Sequence, residues 1–429
     1  MKRISLGKVS MNALWIIGSK LIKAVLTMIV TMLIARYLGP DNYGLINYAS
    51  SVVMFVAPVM KLGIDAVMVY EFVQNKEDEG KIIGTSFILN VTSAILCIVG
   101  VLAFVSVVNR NEPVTVIVCA LYSSLLIFQA FEMIQYWFQA KLLSKYVAVT
   151  MLFSYICISA FQIFLLATGK SVYWFAVISS LDYLIISVVL ITIYRRLNGQ
   201  PFEFSFGVAR RLLSKGKYYI VSSLMVTVFQ QTDRIMLKLM CDNTAVGYYS
   251  AALTCATMFA FVFAAIIDSY RSTIFECKKI SQGEFEKNLR LVYGIIIYGS
   301  LAVSLGMSVF SGLIVRIMYG SQYGAAVPVL QILVWFNTFS YIGTIRDIWI
   351  LSEGHQKYMF LINFLGAMVN FVTNLIAIPV LGAVGAALTS LFTQIFTNFI
   401  LCYLLKPIRP CGRIMLQSLN LKTVLASMK

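Results

Sequence analysis

Residues 44–65 read GLINYASSVVMFVAPVMKLGID, and residues 247–268 read GYYSAALTCATMFAFVFAAIID. Both stretches open on glycine, stay largely apolar for about six helical turns and end on aspartate. Each is long enough to cross the roughly 30 Å of hydrocarbon in a bilayer. Gly44 and Asp65 thus recur as Gly247 and Asp268, 203 residues on. Trp137 and the pair Lys145-Tyr146 recur as Trp349 and Lys357-Tyr358, 212 residues on. The chain reads as one six-helix membrane unit written twice, with ionisable groups at matching depths. Two such halves suit alternating access, in which the halves rock around a central polar cavity.

The composition agrees with a membrane chain. Of 429 residues, 60% are hydrophobic and 12% charged, against roughly 45–50% and 25% in soluble domains. A soluble core cannot absorb that much apolar surface, whereas a bilayer can. The net charge of +16 lies mostly in short loops between apolar runs. Nucleic-acid binding needs such charge in one folded patch, so no nucleic-acid partner is expected. Topology control and anionic membrane lipids account for it instead. The eight cysteines contain no C-x-x-C pair and fall mostly in apolar runs. They read as small hydrophobes rather than disulfides or zinc ligands. The first apolar run, from near Met11, has no small-residue cleavage site after it and reads as a retained span.

Twelve spans are expected at 11–36, 43–71, 83–108, 114–138, 146–168, 172–194, 214–238, 246–275, 291–313, 325–351, 358–379 and 382–405. Of the 34 basic residues, Arg36, Arg110, Lys170, Lys238 and Arg316 fall on one side, and 24 fall on the other. The remaining five, Lys20, Lys23, Lys61, Arg234 and Arg346, lie at membrane depth. The basic side is the cytoplasmic one, which places both termini there. The longest connection, about 195–213, divides an N-terminal bundle of residues 1–200 from a C-terminal bundle of 201–429 with a short cytoplasmic tail. Six spans per half make both halves enter from the same side, so the repeat is parallel. The fold class is an all-α polytopic membrane protein.

Six acids also fall within spans: Asp65, Glu132, Asp182, Asp233, Asp268 and Asp347. A charge at mid-membrane costs about 2.5–3.5 kcal/mol on insertion scales. These groups therefore need partners or a hydrated interior. Lys61 with Asp65, and Asp268 with Arg271, share helix faces at helical spacing. Lys20, Thr27 and Thr31 form a polar stripe, with Lys23 beside it; Ser223, Thr227, Gln230 and Arg234 form another at the repeated place in span seven. Asn47, Pro58, Lys61 and Asp65 share a face in span two. Such stripes are expected to line a water-filled cleft, with structural pairing between helices as the alternative for each residue taken singly. Pro58, Pro328 and Pro379 are candidate kinks or helix ends.

Catalytic signatures are weak. Gly169-Lys170-Ser171 resembles the end of a P-loop, but Phe164 occupies the first glycine position. His355 is the sole histidine, which argues against a histidine metal cluster or a Ser-His-Asp triad. The external loops are short, unlike those of a glycan polymerase or membrane glycosyltransferase. A non-enzymatic carrier is expected, with no cofactor and with a proton or sodium gradient as its drive.

Ala35-Arg36-Tyr37-Leu38-Gly39-Pro40-Asp41-Asn42-Tyr43-Gly44 resembles the R-x-L-G-P-x-x-Y-G pattern of the oligosaccharide flippase family. That family is the Wzx-type branch of the multidrug/oligosaccharidyl-lipid/polysaccharide exporter superfamily. Gln231-Thr232-Asp233-Arg234 and Val246-Gly247-Tyr248-Tyr249-Ser250 resemble its aspartate in span seven and its start of span eight. The resemblance covers nearly the whole chain. It implies a MATE-like pair of six-helix bundles in a bacterial plasma membrane, moving polyprenyl-diphosphate-linked oligosaccharide between leaflets for O-antigen, capsule or a related polysaccharide, beside a polysaccharide polymerase. On that reading Lys20, Lys23, Lys61, Arg234 and Arg346 attract the diphosphate, arginine binding its oxygens in pairs. Asp65, Asp233 or Asp268 carries the coupling proton or sodium ion. The competing readings are a cation-coupled multidrug exporter of the same superfamily, for whose cationic cargo a lysine-bearing cleft is unfavourable, and a peptidoglycan-precursor flippase, which usually has more than twelve spans.

Overall fold

A computed structural model describes residues 6–428, with side chains over residues 26–424. Every regular element among the described residues is helical. Among the described residues, eight helices are long and apolar enough to cross a membrane. Two of them, Leu26–Gln74 with 49 residues and Lys357–Leu404 with 48, have twice the length of a span. Each is broken at a left-handed glycine, Gly39 at φ 71° and Gly382 at φ 55°, a conformation that costs glycine little. Each therefore supplies two spans. Asn243–Ala256 and Ala260–Ile280 form one more span, bent by 46°. Phe206–Met240, with 35 residues, is long enough but rich in charge. Twelve segments result, as the apolar runs predict.

We number them α1 (6–38), α2 (40–74), α3 (Glu79–Val108), α4 (Pro113–Ala140), α5 (Ser144–Ala167), α6 (Val172–Arg196), α7 (Phe206–Met240), α8 (243–280), α9 (Gln282–Val309), α10 (Ala326–Ser352), α11 (357–381) and α12 (383–404). Two further helices follow, α13 (Arg409–Gln417) and α14 (Leu421–Met428). Local chemistry sets the starts. Asp242 accepts the Ala245 N–H at 2.7 Å and caps α8, and Ser281 accepts the Glu284 N–H at 3.1 Å and caps α9. Pro113 occupies the first turn of α4, where its missing N–H costs nothing.

Span two differs from its expected form. It is interrupted at Lys61–Ile64, where Leu62 and Gly63 adopt φ of 53° and 63°. Pro58 removes one helical hydrogen bond just before the break. The interruption ends the shared helix face expected for Lys61 and Asp65.

The chain divides into two compact units. The N-terminal unit holds the described residues up to Leu38 together with Ala49–Leu224. Its core includes Phe72, Phe87, Trp137, Phe138 and Tyr194. The connection between the repeats is a fixed part of it: Gln200 Oε1 accepts the Gly80 N–H at 2.9 Å, Glu203 N–H donates to Gly80 O at 3.3 Å, and Ser205 N–H donates to Thr85 Oγ1 at 2.9 Å. A Cβ on Gly80 would lie 2.1 Å from Pro201 O, so glycine is what admits the strap.

The C-terminal unit holds Gly39–Tyr48 and the residues from Met225 onward. Its core includes Phe285, Tyr293, Ile345 and Trp349. The repeated glycines meet here. A Cβ on Gly44 would lie 1.7 Å from Asn243 O, and one on Gly247 would lie 2.0 Å from Pro40 O. At the other end α14 lies on α9, with Val424 filling the space over Gly294, and Tyr298 Oη donates to Leu419 O at 2.8 Å. The repeat division at 200/201 follows the sequence; the packing division falls inside α7.

The duplication persists in the cores. Trp137 and Trp349 are both buried. Four residues beyond each, Lys141 pairs with Glu79 at 2.6 Å and Glu353 pairs with Lys278 at 2.5 Å. The same place carries an ion pair of opposite polarity.

Candidate functional site

Asp233 on α7 is 6% exposed. Its Oδ1 accepts from Asn374 Nδ2 at 2.7 Å and Asn370 Nδ2 at 3.2 Å. Its Oδ2 accepts from Tyr249 Oη at 2.6 Å and from the Ser390 hydroxyl. The four donors come from α8, α11 and α12. Asn370 and Asn374 stand one turn apart, so both amides reach one carboxylate. The Thr389 hydroxyl donates to Asn374 Oδ1, which turns that amide's N–H group toward Asp233. A carboxylate has about four lone-pair directions, and all are served here. The cluster is thus oxygen-rich, with two hydroxyls, a phenol and two amides around one acid. It could hold a proton, or a hard cation if the amides turn. Among the described residues no group of three His, Cys, Asp or Glu side chains converges.

Arg234 follows on the same helix and is half-buried. One guanidinium nitrogen donates to Gln231 Oε1 at 3.4 Å, and its buried Nε has no acceptor. Its charge acts on Tyr43 and Tyr249.

A second polar group lies between α10 and α12. Arg346 is 3% exposed. Its Nε and Nη2 donate to Asp347 Oδ1 at 3.1 and 2.7 Å. Its Nη1 donates to Thr397 O at 2.9 Å and Asn398 Oδ1 at 2.7 Å. The turn Phe396–Ile400 is π-helical, a geometry frequent at functional sites. Asn398 in turn donates to Gln394 Oε1.

Six of the eight candidate residues have described side chains, two in the N-terminal unit and four in the C-terminal unit. Lys20 and Lys23 lie outside the residues whose side chains are described. Lys61 belongs to the N-terminal unit, in the break of α2, and pairs with Glu132 at 3.3 Å rather than with Asp65. Asp65, half-buried, begins the helical segment after that break. Asp268 is 65% exposed and pairs with Arg271 at 3.1 Å along its own helix, as its spacing predicts. Arg346 does not present open donors, because sequence position gives depth and not direction. Asp233, Arg234 and Arg346 share the C-terminal unit.

Several residues escaped the sequence reading. Asn370 and Asn374, four apart in an apolar run, were the available signal for the Asp233 cluster. Thr389 and Ser390 gave none, since hydroxyl residues are common in membrane helices, whereas Tyr249 stood in the Val246-Gly247-Tyr248-Tyr249-Ser250 motif with no role assigned to it. Glu71 was also missed. It is fully buried and takes Arg211 at 2.9 Å and Lys215 at 2.6 Å, two cations whose loop position signals only topology.

A family model described as polysaccharide biosynthesis protein matches residues 9–270. A membrane protein of Methanocaldococcus jannaschii is 27% identical over 232 residues, which cover 51% of this chain and 45% of that protein. The match thus spans about half the length of that relative. A lipid II flippase MurJ in an inward closed conformation superposes with a TM-score of 0.67 at 15% identity, covering 94% of this chain and 90% of that one. An inward-facing multidrug resistance MATE transporter of the MOP superfamily superposes at 0.66 and 14% identity, covering 91% and 95%. The eukaryotic MATE transporter AtDTX14 gives 0.55 at 10% identity, covering 98% and 99%.

Proposed function

The chain belongs to the polysaccharide biosynthesis protein family, and from that premise we propose that it is a flippase for polyprenyl-diphosphate-linked oligosaccharides. It is a multi-pass membrane protein with the fold of the superfamily's flippases and transporters. Fold alone favours neither glycan lipids nor drugs, since TM-scores of 0.67 and 0.66 belong to a flippase and a MATE transporter.

The observation that carries the substrate reading is Arg234. Among the basic candidates with described side chains, Lys61 and Arg346 have carboxylate partners, whereas the half-buried Arg234 guanidinium bonds the neutral Gln231 Oε1 at 3.4 Å. A cation at membrane depth with a neutral partner favours an anionic ligand. A diphosphate supplies that anion, and the lipid tail stays in the bilayer. Lys20 and Lys23 add charge on α1. The glycan moves from the cytoplasmic to the outer leaflet of a bacterial plasma membrane. The basic loops support cytoplasmic termini, and a polymerase would consume the product outside. The coupling ion, a proton or sodium, is held at Asp233, where five oxygen-bearing side chains surround one acid. Asp65 and Asp268 are secondary candidates.

Neutralising Lys20, Lys23 and Arg234 one at a time tests this reading. With membrane expression intact, translocation should fall by about tenfold or more for Arg234→Gln, the worth of a charge-assisted hydrogen bond of about 1.5–3 kcal/mol. Full activity in all three variants would remove the diphosphate assignment.

A further inference from the structure

The turn between α4 and α5 closes in the same way as its repeat but on a different residue. Leu143 N–H donates to Phe138 O at 2.8 Å, and Leu142 N–H donates to Gln139 O at 3.1 Å. After α10, His355 N–H donates to Ile350 O at 2.9 Å, and Gly354 N–H donates to Leu351 O at 3.3 Å. All four partners stand 212 residues on. This paired closure needs a left-handed residue just past the helix end, most often glycine. Gly354 has φ 73°. Two more ends among the described residues close the same way, on Gly169 and Asn198. Leu142 instead holds φ 58° with a full side chain, which crowds its Cβ against the following carbonyl. Leu62 is also left-handed, but it packs on the N-terminal core. Leu142 has no such cover and is 92% exposed.

The neighbours of the turn indicate what covers it. Val149, Phe153, Ile156 and Ile163 lie at helical spacing on one exposed face of α5, the face a membrane helix turns to lipid. Lys145 stands one turn before Val149 with Tyr146 beside it, and both are exposed. A lysine and a tyrosine ending an apolar stripe mark the passage from hydrocarbon to headgroups. Leu142 continues that stripe three residues further. Trp137 on α4 meets Tyr194 on α6 with ring centroids 4.7 Å apart, which brings Arg195 and Arg196 to the level of the turn. Lys145, Arg195 and Arg196 are exposed, whereas Lys141 is taken by Glu79. We propose that the Leu142 turn is a membrane tip: its side chain inserts among the headgroups of the leaflet on the basic side, and Lys145, Arg195 and Arg196 hold the phosphates of anionic phospholipids around it.

An apolar side chain flanked by cations is the composition of an interfacial anchor. A protein surface would cover a leucine too, but the lipid-facing stripe of α5 leads straight to this one. Insertion removes apolar area from water, which offsets the backbone strain. The second repeat has no counterpart, since Gly354 offers no side chain to insert. The tip thus sets the level of the α4 and α5 ends against the bilayer, and the equivalent turn of the C-terminal unit lacks that hold.

The test uses the purified full chain in nanodiscs of phosphatidylcholine and phosphatidylglycerol. Leu142→Trp adds one indole to the five native tryptophans, and the fluorescence difference from the parent reports on that indole alone. Lipids brominated near the start of the acyl chain should quench this difference by about twofold or more, the depth expected of an interfacial side chain. Iodide in the water should leave it unchanged. Lys145→Gln in the same background should remove any preference for brominated phosphatidylglycerol over brominated phosphatidylcholine. Quenching by iodide and not by brominated lipid overturns the proposal and leaves a protein as what covers the tip. Leu142→Gly decides the matter if Leu142→Trp does not fold, since glycine eases the backbone there. Titrated with short-chain phosphatidylglycerol and followed by native mass spectrometry, it should bind about tenfold more weakly than the parent, the effect of losing one buried leucine. Its melting temperature should not fall, which separates lost lipid binding from lost structure. Parental lipid binding in Leu142→Gly overturns the tip.

Discussion

Asp233 is a lone acid served by neutral donors, and that sets what its replacement does. Asparagine keeps the shape and one acceptor oxygen. Asp233→Asn should fold and still exchange glycan without a gradient, yet lose gradient stimulation, as a paired liposome assay would record. Arg346 behaves differently. Removing its cation leaves Asp347, Asn398 and the Thr397 carbonyl without their donor. Arg346→Met should lower stability by about 3 kcal/mol, the low end for one-sided loss of a buried pair, because Asp347 stays partly hydrated. Thermal unfolding in detergent checks this, and Arg346→Met with Asp347→Asn should recover part of the loss. At this scale the sequence was half legible. A charge in an apolar run announces itself, so Asp233, Glu132 and Arg346 stood out. Whether Arg346 faces a cleft or another helix depends on the rotation of α10 against α12, which a one-dimensional pattern does not contain. Asn370, Asn374 and Ser390 matter only because Asp233 meets them in space.

The helices themselves were more legible than their interruptions. Length and apolarity located twelve segments, and the Gly39-Pro40 turn announced the end of α1. The break at Lys61–Ile64 was not read, although Pro58 and Gly63 flank it, because prolines and glycines are common in intact membrane helices. That break directs Lys61 to Glu132 instead of Asp65. The repeated glycines have a purpose the pattern left open: Gly44 and Gly247 let two backbones touch. Gly44→Ala should push α2 from α8 and cost about 1–3 kcal/mol of overpacking. Gly306→Ala, where a Cβ would meet nothing within 4 Å, should be neutral in the same unfolding assay. The strap over α3 makes a parallel case. Gly80→Ala should free residues 200–205, which limited proteolysis of that segment would register as faster cleavage.

For the whole molecule, duplication and composition pointed to a two-bundle membrane carrier, and the family match and the fold agree. The packing boundary inside α7 was not legible, because it depends on which residues the two ends of one continuous helix touch. The central claim is that this carrier moves a lipid-linked glycan. The most direct measurement reconstitutes the purified chain in liposomes with a short-chain polyprenyl-diphosphate oligosaccharide and follows glycan exposed to an external glycosidase, with and without an ion gradient. Protein-dependent exposure that a gradient accelerates is the predicted result. No exposure with several glycans, together with gradient-driven uptake of a cationic dye, would contradict the account and identify a drug exporter.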